Sequence, residues 1–228
     1  MPIHKTKNED FFKTWTGDMA YVLGFFTADG SMYRTKRNTC FIEFQITDRT
    51  ILVAIQKALG SNHKITNRRT RNDHRKAIYR LQIGSKAIFE SLEDLGFMQN
   101  KSKVIRLPEI PAKHFFDFLR GYFDGDGNVM FGYYKKPGRN YSSKYFATRF
   151  TSGSNLFLED IKSVLADMDI NGSLYYSSGG WRLSYGAHAT KQLFSSMYHD
   201  NHVNDLIYLE RKYKIFQRAT NAVVAQFG

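Results

Sequence analysis

Two segments of the chain, VLGFFTADG at residues 22–30 and LRGYFDGDG at residues 119–127, follow nearly the same pattern. Each has glycine as its third residue, an apolar run around that glycine and an Asp-Gly pair at its end. The acidic residues of these pairs, Asp29 and Asp126, lie one in each half of the 228-residue chain. This repeat predicts two copies of one chemistry related by a pseudo-two-fold axis. Duplex DNA, whose strands are antiparallel, is a substrate of matching symmetry.

Each repeated segment is predicted to end a helix. Thr16 or Asp18 can cap the first helix, which is expected over residues 19–28. Pro111 can occupy the first turn of the second helix, which is expected over residues 112–125. The glycine after each aspartate can end its helix with a positive φ. Neither helix is long or apolar enough to span a bilayer.

Small residues form a stripe on both predicted helices. Gly24 and Ala28 are four residues apart and share a helical face, as Gly121 and Gly125 do on the second helix. Because small residues let two helix backbones approach closely, we expect these four residues to form a helix interface. The two aspartates would then emerge side by side, and adjacent carboxylates repel unless a cation lies between them. The pattern therefore favours a divalent metal.

An EF-hand calcium loop is an alternative interpretation of the second segment, which continues as DGDGN at residues 124–128. Val129 stands where that loop needs glycine, and Lys135 stands where it needs a bidentate glutamate. A single Asp-Gly pair is usually only a turn. The repetition of the whole helical pattern favours a functional site over two coincidental turns.

These segments resemble the two motifs of the LAGLIDADG homing endonucleases in their single-chain, two-repeat form. The match is ADG at residues 28–30 and DGDG at residues 124–127, with Gly24 and Gly121 at the central glycine. The first motif departs from the family pattern at Thr27, where aspartate is common. That position is not the metal-binding one.

The similarity to this family extends beyond the motifs. The segment LPEIPAKHFFDFLRGYFDGDG at residues 107–127 and the tail YLERKYKIF at residues 208–216 are both similar to it. The resemblance implies a metal-dependent endonuclease that hydrolyses one phosphodiester in each strand of a long asymmetric DNA site. It also implies that the cut crosses the minor groove and leaves short 3′ overhangs.

The resemblance also implies roles for particular residues. Asp29 and Asp126 would each ligate Mg²⁺, which Mn²⁺ or Ca²⁺ could replace, helped by the main-chain carbonyls of Ala28 and Gly125. Lys101, after the last helix of the first repeat, would be the catalytic cation.

Three further residues are candidates for supporting roles. The cation of the second half is unresolved, with His202 as the candidate. Asp48 and Ser152, at the ends of the second strands, are candidates for positioning the attacking water, against the ordinary interpretation that each caps a helix.

The elements that follow each motif repeat in the same order. The alternation over residues 39–47 predicts a strand with Ile42, Phe44 and Ile46 on one face and Glu43 among the residues of the other. We predict an α+β fold of two pseudo-symmetric αββαββα repeats with antiparallel DNA-binding sheets, packed through the two motif helices. The predicted N-terminal repeat covers residues 1–100, the linker 101–110 and the C-terminal repeat 111–228.

Basic residues concentrate in and around the predicted hairpins, one face of which must be solvated or bound to a partner. A two-stranded ribbon fits the major groove of DNA, where base edges can be read. A charge cluster can also be merely a solvated face. The predicted DNA-binding residues are Arg34, Arg37, Gln45, Arg68, Arg69, Arg71, Arg75, Arg80, Lys135, Lys136, Arg139, Lys144, Arg149 and Arg182.

Composition agrees with a nucleic-acid partner. The chain has 33 Lys and Arg against 21 Asp and Glu, a formal net charge of +12, and a pI near 9.7. This balance implies an anionic partner, of which ribosomal or membrane-surface binding is the alternative to DNA. The single cysteine, Cys40, excludes an internal disulfide and a thiol metal site.

No apolar stretch is long enough for a membrane span, and the N-terminus lacks a signal-peptide core. We therefore expect a soluble monomer that needs no protein partner and no membrane. An intracellular location is expected, with the prokaryotic cytoplasm preferred to an organelle.

Three alternatives remain from other classes. An RNA-binding intron maturase would keep the same fold but would not need the two acidic residues. A DNA-binding regulator would need an additional helix-turn-helix segment, for which the chain has no room. A self-splicing intein is disfavoured because the chain starts with Met and ends AQFG.

Overall fold

The computed structural model describes residues 5–68, 77–135, 138, 142–198 and 205–224. It divides into two compact units. The first unit contains residues 1–101 and 108–125, and the second contains residues 102–107 and 126–228. Within the described residues, no helix is long and apolar enough to cross a membrane.

The first unit is built from one motif helix, a four-stranded antiparallel sheet, further helices that cover one face of that sheet, and the second motif helix. The strands are in the order β1-β2-β4-β3. The elements are α1 Gly17–Asp29, β1 Gly30–Arg34, β2 Cys40–Ile46, α2 Arg49–Ala58, β3 Thr66–Arg68, β4 Ile78–Gly84, α3 Lys86–Asp94 and α4 Phe115–Asp126, whose last residue falls in the second unit.

The second unit repeats the four-stranded sheet and the helices that cover it, with its strands in the order β5-β6-β8-β7. Each described sheet is antiparallel, so the α+β fold predicted from the sequence is confirmed. The elements are β5 Gly127–Lys135, β6 Ser142–Ser152, α5 Asn155–Ala166, β7 Ser173–Ser177, β8 Gly180–Tyr185, α6 Ala187–Tyr198 and α7 Glu210–Val224.

Local sequence explains where three of these helices begin. The hydroxyls of Thr16, Ser85 and Ser154 accept hydrogen bonds from the backbone N–H three residues later, at 3.1 Å, 3.3 Å and 3.3 Å. Each bond satisfies an N–H that has no partner inside the helix. Gly60 and Gly96 follow the ends of α2 and α3 with φ of 56° and 86°, a conformation that glycine adopts without strain.

Each sheet has a covered face and an open face. In the first sheet Phe44 pairs with Leu81 and Ile42 with Ile83, and all four side chains are fully buried beneath the helices. Side chains alternate along a strand, so the neighbours of these residues point to the open face. The second sheet has the same pattern, with Phe150 paired to Leu183 on its covered face.

Three predicted boundaries differ from the structure. Helix α1 runs from Gly17 to Asp29 and is longer than predicted at both ends, because Thr16 is the N-cap. A 3₁₀ turn over Ala112–His114 comes between Pro111 and α4. The sequence pattern also predicts a last helix over about residues 204–220, which in the structure begins at Glu210.

The compact units and the sequence repeats divide the chain differently. The repeat boundary was predicted within residues 101–110, yet residues 108–125, which include nearly all of α4, pack with the first unit. The cause is the tight contact between α4 and α1 described below. Residues 102–107 join the second unit, where Ser154 donates a hydrogen bond to the carbonyl of Ile105 at 2.7 Å and Arg106 makes a bidentate pair with Asp160.

Candidate functional site

The two motif helices are in backbone contact within the first unit. A Cβ placed on Gly24 would lie 2.0 Å from the carbonyl oxygen of Phe118, and one placed on Gly121 would lie 2.0 Å from the carbonyl oxygen of Tyr21. Each central glycine therefore sits on a carbonyl of the other helix, and no other residue type fits. This reciprocal contact confirms that α1 and α4 pack through Gly24 and Gly121.

The ends of the same helices are also adjacent. A Cβ on Gly125 would lie 2.3 Å from the Cβ of Ala28 and 3.3 Å from Oδ2 of Asp29. Ala28 and Gly125 therefore belong to the helix interface, as predicted, and the Asp29 carboxylate lies beside the last turn of α4. Asp126 is the residue that follows Gly125 in the chain.

Gly30, which ends the first motif, is required for its close packing and not for a positive φ. The predicted positive φ is wrong, because Gly30 is extended with φ of −92° and ψ of 149°. A Cβ at this position would lie 2.2 Å from the ring of Phe26. Gly30 thus lets the chain turn directly from α1 into β1 across a buried aromatic ring. Gly127 also lacks a positive φ.

Buried polar residues line the motif helices. Tyr21 donates a hydrogen bond to Oδ2 of Asp124 at 2.7 Å, and both residues are fully buried. The Arg120 guanidinium is 1% exposed, lies 5.3 Å from the centroid of the Tyr21 ring and pairs with Asp117 at 2.9 Å. Buried charges are costly unless they are paired. These contacts therefore specify the pairing of the two helices.

The two motifs differ at the position before the small residue of the interface. The first has Thr27, whose hydroxyl donates to the carbonyl of Leu23 at 2.8 Å on its own helix. The second has Asp124, which is bonded across the interface to Tyr21. The departure of the first motif from the family pattern is accommodated because a threonine satisfies its hydroxyl within its own helix.

The chemistry of the acidic residues that end the two motifs fits a hard divalent cation. Mg²⁺ prefers carboxylate and carbonyl oxygens. Asp29 is half-buried and Asp126 exposed, and the last four carbonyls of a helix lack intrahelical partners. Among the described residues there is no group of three or more His, Cys, Asp or Glu side chains that could hold a metal. A metal here would therefore need main-chain carbonyls, water or phosphate to complete its coordination.

The structure brings one cation to the second motif that the sequence pattern did not single out. Lys212 of α7 is 5% exposed, and its Nζ donates to the carbonyl oxygen of Gly127 at 2.6 Å. Gly127 directly follows Asp126. Lys212 lies in the segment YLERKYKIF, which is similar to the family. The spacing of residues in that segment could not show that this lysine contacts Gly127, which is 85 residues earlier in the chain.

The other predicted site residues have local roles or fall outside the description. Asp48 is the N-cap residue of α2 and accepts a hydrogen bond from the Thr50 hydroxyl at 3.2 Å. Oγ of Ser152 accepts from the backbone N–H of Ser154 at 3.0 Å. Lys101 lies in a 3₁₀ turn over Lys101–Lys103, and its side chain is outside the description, as is the whole of His202.

Several predicted DNA-binding side chains share an open sheet face. In the first sheet, Gln45 pairs with Arg80 in the register of β2 and β4, and Arg68 extends the row on β3. In the second sheet, Arg149 pairs with Ser184 and Arg182 pairs with Thr151. The Nε of Arg149 donates to the Ser184 hydroxyl at 3.2 Å. Each open face thus carries guanidinium groups.

Two predicted DNA-binding residues lie on covered faces instead. Arg34 pairs with Glu93 of α3 at 3.5 Å, and its guanidinium lies 5.1 Å from the centroid of the Phe89 ring. Lys144 lies 4.9 Å from the centroid of the Phe131 ring, on the face that α7 covers. The strand alternation turns both side chains towards helices and away from the open sheet faces.

The remaining predicted residues are at hairpin ends or beyond the description. Arg37 is exposed in the turn between β1 and β2, and Lys135 is exposed at the end of β5. The residues that lie outside the described part of the chain are Arg69, Arg71, Arg75, Lys136 and Arg139.

Comparison with known proteins agrees with this geometry. The LAGLIDADG-like domain family matches residues 16–95 and 116–218. An uncharacterised protein of Methanocaldococcus jannaschii is 26% identical over 134 residues, which are 56% of this chain and 44% of that protein. A probable translation initiation factor IF-2 of Thermococcus kodakarensis is 29% identical over 182 residues, which are 77% of this chain and 14% of that protein. The chain thus spans less than half the length of either relative.

Solved structures of similar fold are meganucleases and homing endonucleases. I-SmaMI bound to uncleaveable DNA has a TM-score of 0.64 at 14% identity, with 91% of each chain covered. I-WcaI bound to its DNA recognition sequence has a TM-score of 0.61 at 17% identity, covering 90% of this chain and 91% of that one. I-AabMI bound to uncleaved DNA has a TM-score of 0.61 at 14% identity, with 90% of each chain covered. Because the family matches both repeats and the fold is that of these endonucleases, the chain belongs to the LAGLIDADG family.

Proposed function

We propose that this protein is a site-specific DNA endonuclease that cuts both strands of a long asymmetric site with the help of a divalent metal. The observation that carries this proposal is the backbone contact between α1 and α4, the two helices that carry the repeated motifs. Family membership and the DNA-bound similar structures support it. With both motifs in one chain, the protein would act as a monomer without a protein partner.

Asp29 and Asp126 would each hold one Mg²⁺ together with the main-chain carbonyls of Ala28 and Gly125, and Mn²⁺ or Ca²⁺ could replace it. When bound, such a metal lowers the pKa of a coordinated water and neutralises charge on the leaving oxygen. The chain itself contributes position, because α1 and α4 pack in backbone contact at Gly24 and Gly121. Each aspartate would serve one strand.

Lys212 would supply the cation of the second half, a role for which the sequence pattern suggested His202. Its ammonium group is buried and oriented by the carbonyl of Gly127, next to Asp126. A fixed positive charge there can stabilise the charge that develops on the phosphate. Lys101 is proposed for the same role in the first half.

The open sheet faces would bind the duplex. Their guanidinium groups suit both phosphates and guanine edges in the major groove. The proposal is tested by incubating the full-length chain with a randomised duplex pool in Mg²⁺ and sequencing the product ends. One asymmetric sequence with short 3′ overhangs is expected. A chain that leaves this pool uncut but binds structured RNA would be a maturase instead.

Replacing Lys212 by methionine is expected to slow cleavage of one strand by about 10²-fold, the lower range for losing a positioned group in proton transfer or charge stabilisation. Nicked plasmid should accumulate, because the other aspartate still serves its own strand. The measurement is the ratio of nicked to linear product over time, with thermal unfolding recorded in parallel.

The control for this variant is Lys214→Met, which removes an exposed lysine paired with Glu210 at 2.6 Å on the same helix. It should leave both strand rates near those of the wild type, since exposed ion pairs contribute little. If the Lys212→Met variant cleaved both strands at equal rates, Lys212 would not be the cation that serves one strand.

Binding to the selected duplex is expected to weaken steeply with salt, because contacts to phosphate release counterions. The slope of log K against log salt should be about −0.9 per phosphate contact. Neutralising Arg68 together with Arg69 and Arg71 should flatten that slope. Neutralising Arg34, which faces α3, should leave the slope unchanged. A slope near zero for the wild type would contradict a DNA interface.

A further inference from the structure

A carboxylate lies on the open face of the first sheet, among residues proposed to bind DNA. Glu43 is on β2, a central strand, opposite Ser31 on β1 and Gln82 on β4. Its side chain is only 6% exposed. A buried carboxylate is costly unless it is paired and hydrogen-bonded, and on this face it also opposes the attraction of phosphate. Its presence therefore calls for a specific role.

The contacts of Glu43 join three strands in one row of polar groups. Gln45 donates its amide N–H to Oε1 of Glu43, and Nη1 of Arg80 donates to Oε2 of Glu43 at 3.5 Å. On the other side, Nη1 of Arg68 donates to Oε1 of Gln45 at 3.5 Å. Donors and acceptors alternate from Arg68 through Gln45 and Glu43 to Arg80. We call these four residues the Glu43 row.

The row orients Arg80 in particular. A guanidinium has five N–H donors in a fixed fork, and Glu43 takes only Nη1. The Arg80 side chain is 25% exposed, whereas Glu43 is covered by its neighbours. Arg80 can therefore approach a base from the row, while Glu43 cannot do so without displacing the groups that cover it. A guanidinium held in one orientation can bond both acceptors of a guanine edge.

The second sheet lacks this arrangement at the equivalent positions. The first residue after each motif pairs in the same way, Gly30 with Phe44 and Gly127 with Phe150. This register makes Arg149 the equivalent of Glu43. Arg182 is likewise the equivalent of Arg80, since they directly precede Leu81 and Leu183 on β4 and β8. The second sheet thus has two arginines where the first has one arginine and a carboxylate.

We propose that Glu43 is a positioning residue for sequence readout, which holds Arg80 against a guanine and so requires a G·C pair at one position of the half-site that the first sheet reads. This inference rests on the proposed function. It assigns the specificity of that half-site to a carboxylate that does not touch the base.

The test is a binding selection by the full-length chain from a randomised duplex pool in EDTA, which prevents metal-dependent cutting. Affinities are then measured for every single-base variant of the selected site. Glu43→Ala is expected to reduce discrimination for one G·C pair by about 10- to 100-fold, the range for a bidentate arginine–guanine contact. Affinity for unrelated duplex should stay level or rise, since a negative charge leaves the surface. A loss of fold would instead lower both.

Three further variants locate the effect. Arg80→Lys keeps the charge but not the fork, and it should lose the same G·C preference with no added loss in the double variant. Glu43→Gln, which keeps the shape and can still accept hydrogen bonds, should lie between the wild type and Glu43→Ala. Arg182→Lys is the matched control, whose effect should fall on the other half-site and add to that of Glu43→Ala.

The opposing results are equally distinct. The positioning role would be overturned if Glu43→Ala left the base preference unchanged at every position of the site. It would also be overturned if affinity for the selected site fell equally at every position. A preference lost in Glu43→Ala but kept in Arg80→Lys would show that Glu43 itself contacts a base, which also overturns it. If the wild type selects no sequence at all, the proposed function fails first, and this inference fails with it.

Discussion

Asp29→Asn and Asp126→Asn are each expected to abolish double-strand cleavage while DNA binding stays near that of the wild type. The substitution keeps the size of the side chain but removes the charge that would hold a divalent cation. Because loss of a group that only supports a metal ligand costs about 10- to 100-fold, loss of the ligand should cost at least about 100-fold in the rate of double-strand cleavage. Binding can tighten, since a negative charge near phosphate is removed.

The measurement pairs a plasmid cleavage assay with a gel-shift assay on the selected duplex. One of the two variants can retain nicking of a single strand if each aspartate serves its own strand. Asp94→Asn is the control, because Asp94 is the exposed last residue of α3 and should be silent in both assays. Full double-strand cleavage by either motif variant would refute the assignment.

Gly24→Ala and Gly121→Ala are each expected to destabilise the protein strongly. A methyl group at either position would lie 2.0 Å from a backbone carbonyl oxygen of the partner helix, which cannot rotate away as a side chain can. Overpacking costs typically about 1–3 kcal/mol in the free energy of unfolding and occasionally more, and a backbone obstacle places these variants at or above the upper end. Leucine at these positions should be worse.

The measurement is urea unfolding of each variant, with the cleavage rate recorded on the folded fraction. Gly186→Ala is the matched control, because no atom lies within 4 Å of the added methyl group and its φ is not positive. It should change the free energy of unfolding by no more than about 0.5 kcal/mol. A stable and fully active Gly121→Ala protein would show that the helices do not depend on this contact.

The position of Lys212 illustrates what sequence reasoning missed. The tail segment that contains it was noted for its family similarity, and its lysine was not distinguished from the other basic residues there. In the structure Lys212 is buried and bonded to the carbonyl that follows the second motif aspartate, whereas Lys214 is exposed and paired with Glu210. Residues two positions apart on a helix point in different directions, and only the packing of α7 shows which one faces the motif.

Features that depend on near neighbours in the chain could be predicted from the amino-acid sequence alone. Repeated glycines and aspartates indicated two equivalent motif helices. Thr16 was one of the two residues proposed to start the first helix, because a cap bonds an N–H only three residues away. The alternation in β2 separated the covered face from the open one, because successive side chains of a strand point to opposite sides. These are local rules and need no knowledge of the partner elements.

Contacts between groups that are distant in the chain became visible only in the folded structure. It placed α4 with the first unit, turned Arg34 and Lys144 towards helices, and gave Gly30 its role beneath the Phe26 ring. Each outcome depends on how closely two elements pack and on which buried charges find partners. Such contacts join residues that are far apart in the chain. Neither the periodicity nor the composition of the sequence shows which of these residues will meet.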